Sequence, residues 1–295
     1  MKKIKIAFLI LHFNTVDDTR KCVESIKKSI KSNYKIVIVD NCSPNESGTV
    51  LKKIYEKDQK VHVLLASKNL GFARGNNLGF KYIKKYFKTE YIAMINNDTY
   101  LLDNKFMSIV DDEYERSGFA VLGPKIILPH NKVNPVQEKL LPIEEMRSWR
   151  ARLKINYWLN FFYMNGIYES AKKIYYTITN KNPSHIYSTC NKDKYMQDIV
   201  LHGCFLIFSE KYIDKFDGID PRTFMYMEEK ILYTRLKQNN LLSVYNPKLV
   251  IFHNEDSATN SLMKNERNKK LFLFKNAYFS SGILIEEMEK IGREN

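Results

Sequence analysis

The stretch MINNDTYLL, residues 94–102, drives an apolar run into two asparagines and an aspartate. Asn96, Asn97 and Asp98 cannot continue as buried strand without polar partners. Asn and Asp close turns by bonding their own backbone. A carboxylate flanked by carboxamides at the end of a core strand also suits a cation or phosphate, which open α/β sheets bind beyond the carboxyl ends of their strands. Both readings stand on these residues alone. NLGFARGNNLGF sets Gly71, Gly75 and Gly79 at four-residue intervals. That is neither GxGxxG nor a Walker loop, so a Rossmann dinucleotide site fails on spacing. In MYMEEKIL, Glu228 and Glu229 open a helical pattern, where first-turn carboxylates complement the helix dipole.

The elements that must position these groups alternate through the first hundred residues. KIKIAFLIL, YKIVIVD, VHVLLA and EYIAMI read as strands. VDDTRKCVESIKKSI, ESGTVLKKIYEK and FARGNNLGFKYIKKYF read as helices between them. This rhythm predicts a mostly parallel sheet covered on both faces. Each strand ends in polar residues: His12 and Asn14, Asp40 and Asn41, Ser67 and Asn69, Asn96 to Asp98. Four such ends on one edge of a parallel sheet make a site. From Pro129 to about Pro183 the chain is expected to be helical, basic and aromatic, with both tryptophans, Trp149 and Trp158. IVLHGCFLIFS returns as a strand, TFMYMEEKILYTRLKQNN as a helix, LLSVYNPKLVIFHNE as a strand pair, and a basic helical tail follows from Ser261.

A chain of 295 residues with 44% hydrophobic and 27% charged residues is globular. Its net charge of +14 suits anionic partners such as nucleotide phosphates, nucleic acid or an acidic membrane face. No RRM, KH or zinc-finger pattern accompanies the charge, so nucleic acid is not the expected partner. No signal peptide or membrane span is expected. Cys22, Cys42, Cys190 and Cys204 form no CxxC pair and read as reduced cytosolic thiols.

LILHFN, IVIVDNCSPNES, NLGFARGNNLGF, MINNDTYLL, HGCFLIF, FDGIDPRTFMYMEEKILYTRL and NPKLVIFHNEDSAT occur in one order along residues 4 to about 260. Together they resemble the inverting family 2 glycosyltransferases with the GT-A fold, in particular the rhamnosyltransferase-like enzymes of bacterial surface polysaccharide synthesis. The resemblance implies a GT-A domain over 1–260, with a nucleotide-binding half (1–103), an acceptor-side insert (129–183), an acceptor and catalytic-base half (196–260), and a tail over 261–295. NNDT stands where the family has its DxD motif. Asp98 would hold a divalent cation, Mn²⁺ or Mg²⁺, against the diphosphate of a nucleotide-sugar donor. Asn97 would bond the ribose or a metal-bound water, and His253 would be a further metal ligand. Asn14, Thr15, Asp40 and Arg74 would contact the nucleotide, with small residues letting the helix of FARGNNLGFKYIKKYF approach it closely. Glu229 would be the general base, with Glu228 as the alternative. Asp220 would touch the acceptor, and His202 is expected to be structural.

The implied reaction moves a sugar from a UDP- or dTDP-linked donor to a hydroxyl of a growing, lipid-linked surface glycan. The implied place is the cytoplasmic face of the membrane. Two basic, aromatic clusters are expected to rest on anionic lipid: Arg147, Arg150, Arg152 and Lys154, and Lys264, Arg267, Lys269, Lys270 and Lys275. An inactive relative serving as a scaffold in polysaccharide assembly is the alternative, because NNDT carries a single carboxylate and the base motif is EE.

Overall fold

The expected alternation is what the chain adopts through Asn96: β1 (Ile4–His12), α1 (Val16–Ser29), β2 (Tyr34–Asp40), α2 (Ser47–Ile54), β3 (Val61–Leu65), α3 (Gly71–Tyr86) and β4 (Thr89–Asn96). This is a computed structural model, and it describes residues 3–136, 140–162, 193–254 and 265–293. Beyond β4 lie β5 (Thr99–Leu101), α4 (Phe106–Ser117), β6 (Val121–Leu128), β7 (Lys132–Val133) and α5 (Ile143–Phe161). Then come β8 (Met196–Gln197), β9 (Phe205–Ser209), α6 (Glu210–Ile213), α7 (Glu228–Gln238), β10 (Ser243–His253) and α8 (Glu266–Arg293).

The strands form one sheet in the order β3-β2-β1-β4-β9-β6-β10-β5, with β7 beside β6 and β8 beside β10. The first four are parallel. β9 then runs antiparallel between β4 and β6, and β10 lies parallel to β6. Successive residues of β1 point to opposite faces, as strand geometry requires. Ile6, Phe8 and Ile10 pack with Cys22, Val23 and Ile26 of α1 on one face. Ala7 and Leu9 pack with Ala73, Phe80 and Ile83 of α3 on the other. Both faces are therefore covered, and β1 is apolar throughout because neither side meets water.

α3 lies very close to the sheet. A Cβ on Gly79 would come within 2.1 Å of Leu9 Cδ1 and 2.8 Å of Val39 Cγ2, and one on Gly75 within 2.7 Å of Leu11 Cδ1. These glycines thus serve the helix–sheet approach.

Several boundaries differ from the sequence reading. The segment 199–209 becomes strand only from Phe205, and the helix expected from Thr223 begins at Glu228. The expected strand pair is one strand, β10, with a register shift between Asn246 and Val250. Pro247 lies in that shift; it has no N–H to give to a ladder. α4 and β6, unread in the sequence, supply Phe106, Val110 and Leu122 to the core. The tail helix α8 packs on α5 and α7, where Met146, Ile231 and Leu284 are buried together.

Candidate active site

β1, β2 and β4 finish side by side, with His12 opposite Asp40 and Leu11 opposite Asn96. His12 is fully buried. Its Nδ1 lies 2.7 Å from Thr19 Oγ1 and its Nε2 2.8 Å from Ser47 Oγ, which ties the first turns of α1 and α2 to the strand end. Burial pushes its pKa down to about 4, although Asp40 Oδ1 at 4.0 Å pulls the other way. The folded chain therefore holds a neutral imidazole where an unfolded one takes a proton near pH 6.5. The stabilisation is complete above the unfolded pKa and is lost as pH falls toward the folded one, by roughly 3 kcal/mol at pH 4. Urea unfolding at about pH 7.5 and about pH 4.5 should show this slope in the natural chain and a flatter one in His12→Asn. Equal slopes in both proteins would remove His12 as its source.

The groups expected to meet the nucleotide are held mainly by one another. Asn14 has φ of 63°, its N–H donates to Ser43 Oγ at 2.9 Å, and its buried Oδ1 accepts no hydrogen bond. Thr15 Oγ1 accepts from Asn97 Nδ2 at 2.7 Å, and the same amide reaches Thr19 Oγ1 at 3.0 Å. Asn97 is thus turned into α1. Asp40 is buried and accepts from the backbone and hydroxyl of Ser43, closing the β2–α2 turn in the manner of an Asx-turn. Arg74 is exposed on α3. It lines a groove of about 490 Å³ with Asn77, Lys81, Lys215 and Asp217.

 Asp98 and His253, 155 positions apart in the sequence, come together: Asp98 Oδ1 lies 3.1 Å from His253 Nε2, and both side chains are buried. The His253 ring meets the His202 ring edge to face, with centroids 6.0 Å apart. The next residue, Gly203, donates its N–H to Glu229 Oε1 at 3.3 Å. A Cβ on Gly203 would sit 2.6 Å from that oxygen, so the close approach requires glycine. Asp98, His253, His202 and Glu229 therefore form one continuous patch.

Glu229 and His202 line a cavity of about 340 Å³, walled by Pro124, Val136, Leu201 and Tyr245 and flanked by Lys230. Burial lowers the Lys230 pKa, with Glu229 opposing that shift. Glu228 points elsewhere: it is buried, and burial together with the charge of Glu229 pushes its carboxyl up to about 8. Asp220 is held by Arg222, whose Nη2 lies 2.6 Å from Oδ2, and by Arg235 at 3.6 Å. Despite its burial, these guanidinium partners hold its carboxyl below the usual range. The structure thus gathers Asp98, His253 and Glu229. It leaves Asp220 paired with Arg222 and Glu228 buried, with its Oε1 making no hydrogen bond. His202, expected to be structural, lies at the junction; the polar HG step before the apolar CFLIF run was its signal.

Among the described residues, no three His, Cys, Asp or Glu side chains group to hold a metal ion. Asp98 and His253 offer one carboxylate and one imidazole nitrogen on facing atoms. That set fits a cation completing its shell with substrate phosphates and water, and does not fit an all-protein cage.

The basic clusters divide. Arg147 pairs with Glu144 and Glu289, Arg150 donates to the Tyr278 carbonyl, and Arg267 donates to the carbonyls of Asn160 and Phe161. These three arginines fasten α5 to α8. Arg152 and Lys154 remain exposed, as do Trp158, Phe161 and Phe162 beside them. Lys264 and residues 163–183 of the insert lie outside the described residues. No helix among the described residues is long and apolar enough to cross a membrane.

Comparison with known proteins agrees with this geometry. The profile of Glycosyl transferase family 2 matches residues 8–216. Glycosyltransferase GlyG of Streptococcus pneumoniae serotype 4 is 27% identical over 118 residues, 40% of this chain and 38% of GlyG. The uncharacterized glycosyltransferase EpsJ of Bacillus subtilis is 19% identical over 180 residues, 58% of this chain and 51% of EpsJ. The chain thus spans about half or less of these curated relatives. The crystal structure of S. aureus TarS 1-349 aligns with a TM-score of 0.51 at 13% identity, covering 94% of this chain and 72% of that one, a likeness of fold alone. With most of the chain matched and its sheet built as described, the protein belongs to glycosyl transferase family 2 and has the GT-A fold.

Proposed function

We propose that the chain transfers a sugar, with inversion, from a UDP- or dTDP-linked donor to a hydroxyl of a growing, lipid-linked bacterial surface glycan. The observation that carries this reading is the continuous patch from Asp98 through His253 and His202 to Glu229. It sets a candidate diphosphate site beside a carboxylate that opens into a cavity. Asp98 and His253 would hold Mn²⁺ or Mg²⁺, which when bound neutralises charge on the departing diphosphate. Asn14, Thr15, Asp40, Arg74 and Asn97 belong to the donor side, with the unpartnered Asn14 Oδ1 available to a nucleotide donor group.

Glu229 takes the proton of the acceptor hydroxyl as its oxygen attacks the anomeric carbon. The bond to the nucleoside diphosphate breaks on the opposite side, which inverts the carbon. Glu228, with a pKa near 8, already carries a proton at neutral pH and is the poorer acceptor. The exposed Trp158, Phe161 and Phe162, with Arg152 and Lys154, suit an anionic membrane surface where a lipid-linked acceptor resides.

Thermal stabilisation by UDP, dTDP, GDP and CDP, each with Mn²⁺ and again with EDTA, tests the reading. One nucleotide at about a hundred times its Kd should add roughly 2.7 kcal/mol of stability. No response to any of the four would overturn the donor assignment.

A further inference from the structure

Just before α7 the chain carries two successive residues in the left-handed region, Tyr226 with φ of 73° and Met227 with φ of 69°. Neither is glycine, and such a conformation persists only where its surroundings hold it. Three elements supply that hold. From α3, the buried Asn77 grips one residue twice: its Oδ1 accepts from Ile219 N at 2.9 Å and its Nδ2 donates to Ile219 O at 2.8 Å. Phe72 N donates to Phe224 O at 2.7 Å, past Gly71, where a Cβ would sit 2.3 Å from that carbonyl. From α7, Arg235 donates to Gly218 O at 3.0 Å. From α8, Ser280 Oγ donates to Met225 O at 2.9 Å. Arg222 links the arm to the same helix, bonding both oxygens of Asp220 and reaching Glu286 and the buried Glu287.

We infer that residues 218–227 form a strained arm clamped between α3 and α8, and that Asn77, Arg222 and Glu287 are positioning residues that aim Glu229 at its cavity. The turn at Met227 sets the start of α7, so it decides which glutamate enters the cavity and which is buried. Asn77 stands one helical turn from Arg74, so a single helix fixes the donor groove and the arm. Helix α8, read from sequence as an appended tail, becomes a wall of the catalytic half. This inference rests on Glu229 as the base.

The test uses the full chain, with Glu287→Ala, the conservative Glu287→Gln, and Asn77→Asp. Amide hydrogen exchange over residues 219–229 should rise about tenfold in Glu287→Ala and Asn77→Asp, while β1 and β4 stay protected. Turnover is read with the sugar conjugate of whichever nucleotide stabilises the chain, using release of free nucleotide. In Glu287→Ala, kcat should fall about tenfold with donor KM within about twofold, and Glu287→Gln should recover most of it. Unchanged exchange in both disruptive variants overturns the clamp. Raised exchange with unchanged kcat, or kcat falling only with the folded fraction, overturns the positioning role. Failure of the natural chain to turn over any donor overturns the base assignment on which the positioning role rests, and the exchange measurement still decides the clamp.

Discussion

Glu229→Gln should lower kcat by about 10²- to 10⁴-fold while leaving nucleotide binding unchanged. The substitution keeps shape and volume. The amide oxygen can still accept from Gly203 N–H, a contact of 3.3 Å in the natural chain, so the loop before β9 keeps its anchor. What is lost is the capacity to take a proton. Glu228→Gln is the informative control, since that carboxyl is already protonated at neutral pH. Its turnover should stay within a few-fold of the natural chain. Initial rates for both variants, with the thermal response to nucleotide measured in parallel, decide the matter. A larger loss in Glu228→Gln than in Glu229→Gln would exchange the two roles.

Asp98→Asn should abolish the metal-dependent part of nucleotide stabilisation, up to roughly 2.7 kcal/mol at a hundredfold excess over Kd. Asparagine keeps one carbonyl oxygen and can still meet His253, so the fold should survive. It lacks the negative charge that holds a hard divalent cation. His253→Gln should weaken the same response without removing it. The comparison is the melting shift with Mn²⁺ against that with EDTA, for each variant. If Asp98→Asn responds to Mn²⁺ as fully as the natural chain, the cation is held elsewhere.

What the sequence makes legible follows from the range of the forces involved. The strands β1, β2 and β4 are apolar runs because both sheet faces are covered, and a doubly buried strand announces itself locally. The glycine spacing of α3 was visible too, but its target was not: whether Gly79 faces a ligand or Leu9 depends on helix rotation. The same limit hid the direction of Asn97, which turns to Thr15 and Thr19. Arg147, Arg150 and Arg267 bond across the α5–α8 contact, which the sequence did not announce because cations on a helix do not reveal the neighbouring helix that will use them. The Asn77–Ile219 grip spans 142 positions, and nothing local marks it. α4 and β6 escaped because their polar and apolar residues follow neither period cleanly.

The placement of β9 has a consequence for how the chain is made. β4 is complete at Asn96, yet the strand that covers its open edge is not finished until Ser209. At 5–20 residues per second, about ten seconds of synthesis separate the two. Throughout that interval the emerging half-sheet ends in Tyr91, Ile92, Ala93, Met94 and Ile95, all buried in the finished protein. An apolar strand with an unpaired edge is a template for pairing with other chains. Newly made protein is therefore most exposed to aggregation, and most dependent on chaperones, before β9 has left the ribosome.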